Sequence, residues 1–349
     1  MAIPPVLRAL LTAHGPSGYE TAPAAAFREA ASAFAEVTTD VMGSVWARVP
    51  GTGDGPTLAI VGHIDEIGLI VTHIDDNGFL RFMGVGGWDP QILVGQRVTV
   101  ATREGEIAGV VGRKPIHLLK DDDRKKVARL EELHIDIGAK DGDEARGLVR
   151  VGDVAVIEGE PVELPNDRAV ARSMDNRLGC YVAYEAARLV SEAGGAPGDV
   201  VAVAAVQEET TFGGSRTTAY ALRPDLAIVV DVTHATDAPG VDVNELGAHP
   251  FGSGPVIERG SNLNPRVVEL LYQTAEAIPF TVQASARSTG TDVDAMHFSR
   301  GGIPCGGIGL PLRYMHSPVE MVALEDVANA ARLIAAAAQR LTAETSFAR

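Results

Sequence analysis

The segment Thr57–Thr72 constrains the fold more than any other part of the chain. It contains LAIVGHIDEIGLIV, a nearly continuous apolar run in which polar residues stand only near the middle. Such a run is typical of a β-strand that is buried on both faces. The segment is therefore predicted to be an interior strand with other parts of the chain packed on each side of its sheet.

Helix-like and strand-like segments alternate along much of the remaining sequence, which favours a layered α/β domain. Helices are predicted on either side of a Gly15–Gly18 loop within Pro4–Phe34, and at Arg172–Ala193, Arg266–Ala277, Asp294–Ser299 and Leu324–Thr342. Further strands are predicted at Glu36–Val49, Asp199–Gln207, Leu226–Asp231, Phe280–Ser285 and Pro304–Leu310.

The pattern changes between Gly68 and Pro161, where short strand-like pieces are separated by turn residues, as in IDDNGF, GVGGWDP and TREGE. This spacing is typical of a small β-barrel or sandwich. We therefore predict an α/β fold with a mixed sheet flanked by helices, formed by residues 1–67 and 162–349. An all-β, barrel-like domain of residues 68–161 is predicted to interrupt it.

Charge and composition exclude several classes of protein. The formal net charge is −16 and no run is rich in Lys or Arg, so nucleic acid is not expected as a partner. The sequence has no uninterrupted stretch of about 18 or more apolar residues, so no membrane span is expected. The first residues do not have the pattern of a secretory signal, so the cytoplasm is the expected compartment. Cys180 and Cys305 form no CxxC pair and are predicted to be small buried apolar residues.

Ionisable residues stand where the apolar strands end, and ligand sites collect at such places in open α/β sheets. They are His63, Asp65, Asp175, Glu208, Glu209, Asp231 and His316. Each has an ordinary explanation when taken alone: a helix cap for an aspartate, a structural role for a histidine, a solvated turn for the glutamate pair. Together they would bury a large negative charge, which costs several kcal/mol per unpaired ion. Because Arg172, Arg177 and Arg313 are too few to balance it, a bound cation is the favoured explanation.

The types of ligand indicate which cations would bind. Two imidazoles and three carboxylates suit Zn²⁺, Co²⁺ or Mn²⁺, whereas a structural tetrathiolate zinc site would need cysteines. An odd number of carboxylates beside two histidines indicates that one is shared between two ions, which can hold a bridging hydroxide when about 3.5–4 Å apart. Asp65, two residues from His63, can orient the imidazole. Of Glu208 and Glu209, one can bind metal while the other reaches the attacking water.

The segments that carry these residues resemble one family. They are HGPSGYE, VGHIDEIGLIV, RSMDNRLGCYVA, VQEETTFGGS, VVDVTHATD, STGTDVDAMHFS and LPLRYMHSPVE, in that order. The family is that of the tetrahedral (TET) metallo-aminopeptidases, which includes glutamyl and deblocking aminopeptidases and belongs to the clan of co-catalytic zinc peptidases. The resemblance extends from about His14 to the last helix, and in the insert it depends on GGWDPQILVGQRV and KPIHLLK.

The resemblance implies two divalent ions per subunit and a role for each site residue. The implied ligands are His63 and Asp231 for one ion, Glu209 and His316 for the other, and a bridging Asp175. Glu208 would be the general base for a metal-bridging water, and Asp65 would orient His63. Thr291 and Asp292 would lie beside the substrate pocket. A cis peptide bond would join Asp175 to Asn176.

The implied reaction is removal of the N-terminal residue from short peptides. The resemblance also implies that dimers assemble into a dodecamer and that the insert is the dimerisation domain. Specificity would depend on loops between Asp231 and Asp292, which the sequence does not locate further. The residues leave three alternatives open. A related metal-dependent amidohydrolase or deacylase would share the metal ligands. An endoglucanase would use paired carboxylates but no histidines, and a metal-binding scaffold would not need Glu208.

Overall fold

A computed structural model of the chain describes residues 1–275 and 278–348, with the backbone alone at position 123. The helices are α1 Pro5–Thr12, α2 Thr21–Ala31, α3 Pro90–Leu93, α4 Asp121–Arg124, α5 Gly142–Leu148, α6 Met174–Glu192, α7 Glu208–Thr211, α8 Gly213–Leu222, α9 Val243–Leu246, α10 Pro265–Thr274, α11 Val293–Met296 and α12 Leu324–Gln339. The strands are β1 Glu36–Thr39, β2 Val45–Val49, β3 Leu58–His63, β4 Gly68–Ile74, β5 Leu80–Val85, β6 Arg97–Thr102, β7 Gly105–Gly112, β8 His134–Asp136, β9 Val154–Ile157, β10 Val162–Leu164, β11 Arg168–Ala171, β12 Val200–Ala205, β13 Leu226–His234, β14 Val256–Gly260, β15 Thr281–Ser285, β16 Cys305–Arg313 and β17 Glu320–Ala323. Within the described ranges, no helix has both the length and the apolar character needed to cross a membrane.

The main sheet is mixed, with the strand order β1-β2-β12-β3-β13-β16-β17-β11-β10. In addition, β14 pairs with β16 on one side and with β15 on the other. The strands from β12 through β3 and β13 to β16 are parallel, so their carboxyl ends lie at one edge. Helix α6 packs across β3, β12 and β13, while α10 and α12 contact each other and cover β14 and β16. The predicted α/β class, a mixed sheet flanked by helices, is confirmed.

The insert closes into a barrel whose strands follow the order β4-β5-β8-β7-β6-β9. Alternate apolar residues of these strands, such as Leu69, Val71, Val98 and Val100, form a core separate from that of the main sheet. Closure pairs every strand of the barrel on both sides and therefore leaves no open edge. The predicted small β-barrel is confirmed, with strands that run from Gly68 to Ile157.

Two glycines bring α6 unusually close to β3. A Cβ atom on Gly62 would lie 2.3 Å from the carbonyl carbon of Gly179, so neither position tolerates a side chain without a shift of backbone. This close approach places the first turn of α6 beside the carboxyl end of β3, where His63 is the last residue.

The prediction of one interior strand over Thr57–Thr72 is wrong. The segment forms β3 and β4, which belong to the main sheet and to the barrel respectively. The chain leaves the sheet at Ile64 because Glu66 forms buried ion pairs with Arg172 and Arg177 and accepts a hydrogen bond from the Gly15 amide. The polar residues in the middle of the apolar run therefore mark the passage from the main sheet to the barrel.

Smaller differences concern where other elements end. Strand β13 continues past Asp231 to His234, since its pairing with β16 outlasts its pairing with β3. Of the helix predicted over Arg266–Ala277, α10 covers Pro265–Thr274, and positions 276 and 277 lie outside the described residues.

Candidate metal centre

The parallel strands bring two predicted ligands to the same level of the sheet. His63 ends β3, and the register pairs Val229 of β13 with Val61 of β3. Asp231, two residues beyond Val229, therefore stands level with His63, and the His63 Nε2 and Asp231 Oδ1 atoms are 4.0 Å apart. Both side chains are buried.

Asp175 reaches the same place from the first turn of α6, where Asp175 and Asn176 have non-helical backbone angles. The peptide bond between them is cis, as the resemblance implied. The Asn176 side chain holds this turn, because its amide donates to the Val230 carbonyl (2.8 Å) and its oxygen accepts from the Gly179 amide (2.8 Å). The irregular turn directs the Asp175 carboxylate into the site.

The Asp175 carboxylate lies between the two histidines. Its Oδ1 atom is 3.2 Å from His63 Nε2, and its Oδ2 atom is 3.3 Å from His316 Nε2. Glu209 completes the His316 side, with its Oε1 atom 3.3 Å from the same Nε2. One carboxylate thus offers a separate oxygen to each half of the cluster.

Glu208 stands on the His63 side, with its Oε2 atom 3.7 Å from His63 Nε2. Candidate ligand atoms form two groups, and within each group all of them lie within 4.8 Å of one another. One group comprises His63, Asp175 and Glu209, and the other comprises His63, Glu208 and Asp231. The geometry therefore brings together every predicted ligand, and it leaves Glu208 close enough to act as either a base or a ligand.

The charges of this cluster are not balanced by arginine or lysine among the described residues. Burial raises the pKa of Glu208 to about 10 and also raises the pKa values of Asp231 and Glu209. Hydrogen bonds with Asp175 and Glu209 raise the pKa of His316 to about 11. Without a cation the cluster must hold protons on its imidazoles and on some of its acids. Divalent cations would displace those protons, as in metal sites generally.

The hydrogen bond made by His316 supports a role for its Nε2 atom as a metal ligand. Its Nδ1 atom lies 2.8 Å from the Gly87 carbonyl oxygen, which can only accept. Nδ1 must therefore carry a hydrogen, so in the neutral imidazole that a metal ion would require, the Nε2 lone pair would face Asp175 and Glu209. Two Nε2 atoms and several carboxylate oxygens form a donor set that fits Zn²⁺, Co²⁺ or Mn²⁺.

Asp65 binds the backbone amides of Glu208 and Glu209 and also lies close to His63. Its two oxygens accept hydrogen bonds from the amides of Glu208 (3.0 Å) and Glu209 (3.1 Å). Its Oδ1 atom also comes within 3.3 Å of His63 Nδ1, although the two atoms do not form a regular hydrogen bond. Glu20 accepts from the Gln207 amide (3.1 Å), so two buried carboxylates anchor three consecutive amides at the start of α7.

Sequence reasoning missed two supports of the site. Glu320 is buried, and its oxygens accept hydrogen bonds from the amides of Asp175 (3.1 Å) and His316 (2.8 Å). The other support is the Gly86–Gly87 turn of the barrel, whose Gly87 carbonyl binds His316. The only sequence signals were the position of Glu320 in RYMHSPVE and the glycines of GVGGWDP, which predicted a tight turn.

A cavity of about 340 Å³ opens onto the cluster and extends along β13, β14 and β15. Thr291 lines it. Asp292 does not line it: its carboxylate is buried among the described residues, and burial raises its pKa to about 6.

Comparisons with known proteins agree with this fold. The model of the M42 glutamyl aminopeptidase family matches residues 43–333. The chain is 35% identical to the lysyl aminopeptidase of Pyrococcus furiosus over 312 residues, which cover 88% of this chain and 87% of the relative. It is 36% identical to the TET aminopeptidase structure of a marine-sediment Thaumarchaeota archaeon, with a TM-score of 0.91 and coverage of 97% and 96%.

A second structure is that of the Pyrococcus horikoshii TET1 peptidase, described as able to assemble into a tetrahedron or a large octahedral shell. It is 29% identical, with a TM-score of 0.83 and coverage of 96% of this chain and 99% of that chain. The expectation of a hydrolase that acts on peptide bonds is confirmed, and the chain belongs to the M42 glutamyl aminopeptidase family.

Proposed function

We propose that this protein is an aminopeptidase with two divalent metal ions, which removes the N-terminal residue from short peptides. The observation that carries the proposal is the Asp175 carboxylate, with one oxygen toward His63 and the other toward His316. In this proposal His63 and Asp231 would hold one ion, Glu209 and His316 would hold the other, and Asp175 would be shared between them. Zn²⁺ and Co²⁺ are the first candidates and Mn²⁺ the next.

Two bound divalent ions would polarise the scissile carbonyl group and lower the pKa of an attacking water molecule. Glu208 would take the proton from that water and return it to the leaving amine. Its position supports this role: it lines the cavity, it is largely buried, and Asp65 holds its backbone amide. Asp65 would serve as a positioning residue for His63 and for the turn that carries Glu208 and Glu209.

Activity on a panel of aminoacyl p-nitroanilides tests the proposal, with metal-free protein given Zn²⁺, Co²⁺ or Mn²⁺ in turn. We expect hydrolysis that depends on metal and on a free α-amine. Hydrolysis of N-acylated amino acids alone would favour the amidohydrolase or deacylase alternative. Cleavage of a β-glucan that survives a chelator would favour the endoglucanase, whose paired carboxylates need no metal.

We also propose that residues 68–161 form a dimerisation domain and that residues 1–67 and 162–349 form the catalytic domain, with dimers building a dodecamer. Large apolar side chains exposed on the barrel support an interface there; they include Met83, Ile116, Leu118 and Val127. The mass of the purified protein by light scattering tests the assembly. A monomer at micromolar concentration would contradict it.

Neither the family nor the relatives identify the residue that is removed. The family model is named for glutamyl aminopeptidase, whereas the Pyrococcus furiosus relative is a lysyl aminopeptidase. These names imply opposite charges in the substrate side chain. The preference of this chain therefore has to come from its own pocket.

A further inference from the structure

The cavity at the metal centre contains an acidic residue that the proposed reaction does not use. Glu258, on β14, lines the part of the cavity formed by strands beyond β13, together with Thr233 and Gln283. Register places Glu258 opposite Gln283 of β15, and pairs the preceding residue, Ile257, with Ile308 of β16. The position lies in the chain segment between Asp231 and Asp292.

A glycine on the neighbouring strand gives this side chain its room. A Cβ atom on Gly307 of β16 would lie 2.2 Å from the Glu258 Oε2 atom and 3.0 Å from its carboxyl carbon. The Glu258 carboxylate therefore lies directly over the bare backbone of Gly307. Any larger residue at Gly307 would have to displace it.

The Glu258 carboxylate has no hydrogen-bond or ion-pair partner among the described residues, and it borders the cavity. No lysine or arginine is among the residues that line this cavity. Burial, with a smaller contribution from Asp294, raises the pKa of Glu258 to about 7. An unpaired carboxylate in a pocket of this kind is costly unless a ligand supplies the opposite charge.

The distance of Glu258 from the metal ligands limits which group of a bound peptide can contact it. Strand β16 separates β14 from β13, which carries Asp231. Two strand spacings correspond to about 10 Å across the sheet. The α-amine of the substrate must stay next to the scissile bond, and therefore near the metal ligands. A group that reaches Glu258 has to be the end of a long N-terminal side chain.

On the basis of the proposed function, we propose that Glu258 determines specificity by binding the positively charged side chain of an N-terminal lysine or arginine. An apolar side chain of the same length would leave the carboxylate without a partner. A glutamate side chain would place a like charge against it. Gln283 carries no formal charge that could pair with Glu258, and its carbonyl oxygen accepts the Thr233 hydroxyl (2.7 Å).

The test compares p-nitroanilides of lysine, arginine, norleucine and glutamate with the metal-loaded full-length protein. Norleucine matches the lysine stem without its charge. We expect kcat/KM to be higher for lysine and arginine than for norleucine by about tenfold or more, and Glu258→Gln to lower the lysine and arginine values by about 10- to 100-fold, the scale of one hydrogen bond to a charged group. The norleucine value should change by less than about threefold, since no charged contact is lost.

Glu269→Gln is the matched control, because Glu269 is an exposed residue of α10 that lies outside the cavity. It makes the same change of charge and should leave all four substrates unaffected. Gly307→Ala is an independent variant: its methyl group should displace the Glu258 carboxylate and reduce the preference for lysine over norleucine without removing the charge.

The outcomes separate this inference from the proposed function. A metal-loaded wild-type protein that prefers norleucine or glutamate would overturn the role of Glu258 and leave the aminopeptidase intact. Equal losses for all substrates in Glu258→Gln would do the same. If the metal-loaded protein hydrolyses none of the four substrates or any other aminoacyl p-nitroanilide, the proposed function itself is wrong.

Discussion

Glu320→Gln tests whether a buried carboxylate that touches no substrate controls metal binding. In the structure the Oε1 atom of Glu320 accepts the His316 amide and the Oε2 atom accepts the Asp175 amide. Glutamine has one acceptor oxygen, so one of these amides would face an NH₂ group instead. Loss of one hydrogen bond to a charged acceptor costs about 1.5–3 kcal/mol. If the lost hydrogen bond destabilises the arrangement of Asp175 and His316 that binds metal, the affinity for metal should drop by about 10- to 100-fold. This is the usual effect of changing a residue that orients a metal ligand.

The assay is competition for Zn²⁺ or Co²⁺ between the protein and a chelating dye, with metal counted per chain. Asp326→Asn is a matched control, since Asp326 is buried and its two oxygens accept the amides of Gly252 and Gly254, both at 2.8 Å. Both variants should lower the melting temperature, but only Glu320→Gln should weaken metal binding. Wild-type metal affinity in Glu320→Gln, or equal loss in both variants, would refute the reasoning.

Three further predictions concern the same centre. Glu208→Gln should keep both metal ions but lower kcat by at least about 10²-fold, the usual scale for general acid–base catalysis; loss of metal would show that Glu208 is a ligand, and near-normal turnover would exclude it as the base. His316→Ala should empty one metal site of two, because it removes an Nε2 donor that faces Asp175 and Glu209; a full complement by elemental analysis would contradict this. Trp88→Phe should lower kcat/KM by about fivefold, the effect of roughly 1 kcal/mol, because the Trp88 indole donates to the Gly68 carbonyl (2.8 Å) beside the turn that binds His316; unchanged kinetics would show that the turn is held without this bond.

The set of candidate ligands was predictable because it depends on a short-range pattern. Apolar strands that end in ionisable residues place those residues at one edge of a parallel sheet, whatever the details of packing. His63, Glu208, Glu209 and Asp231 follow this rule, and the structure brings them within a few ångströms of one another. Even the extension of β13 past Asp231 does not move that residue away from the edge where β3 ends.

Other features depended on contacts that leave almost no trace in the local sequence. The break in Thr57–Thr72 depends on Glu66, whose partners Arg172 and Arg177 lie more than a hundred residues away. The apolar pattern on both sides of that break is the same, so periodicity alone could not separate two strands from one. Only the folded chain shows that the passage between sheet and barrel occurs there.

The sequence by itself determined the class of fold, the barrel-like insert and the identity of the ligand candidates, because residue type and spacing decide burial and coordination chemistry. The tertiary structure alone decided what supports and surrounds those ligands. His316 is oriented by the carbonyl of Gly87, 229 residues away, and a backbone carbonyl has no signature in residue type. Glu258 likewise became a candidate for specificity only when β14 placed it over Gly307, in a cavity that no described lysine or arginine lines.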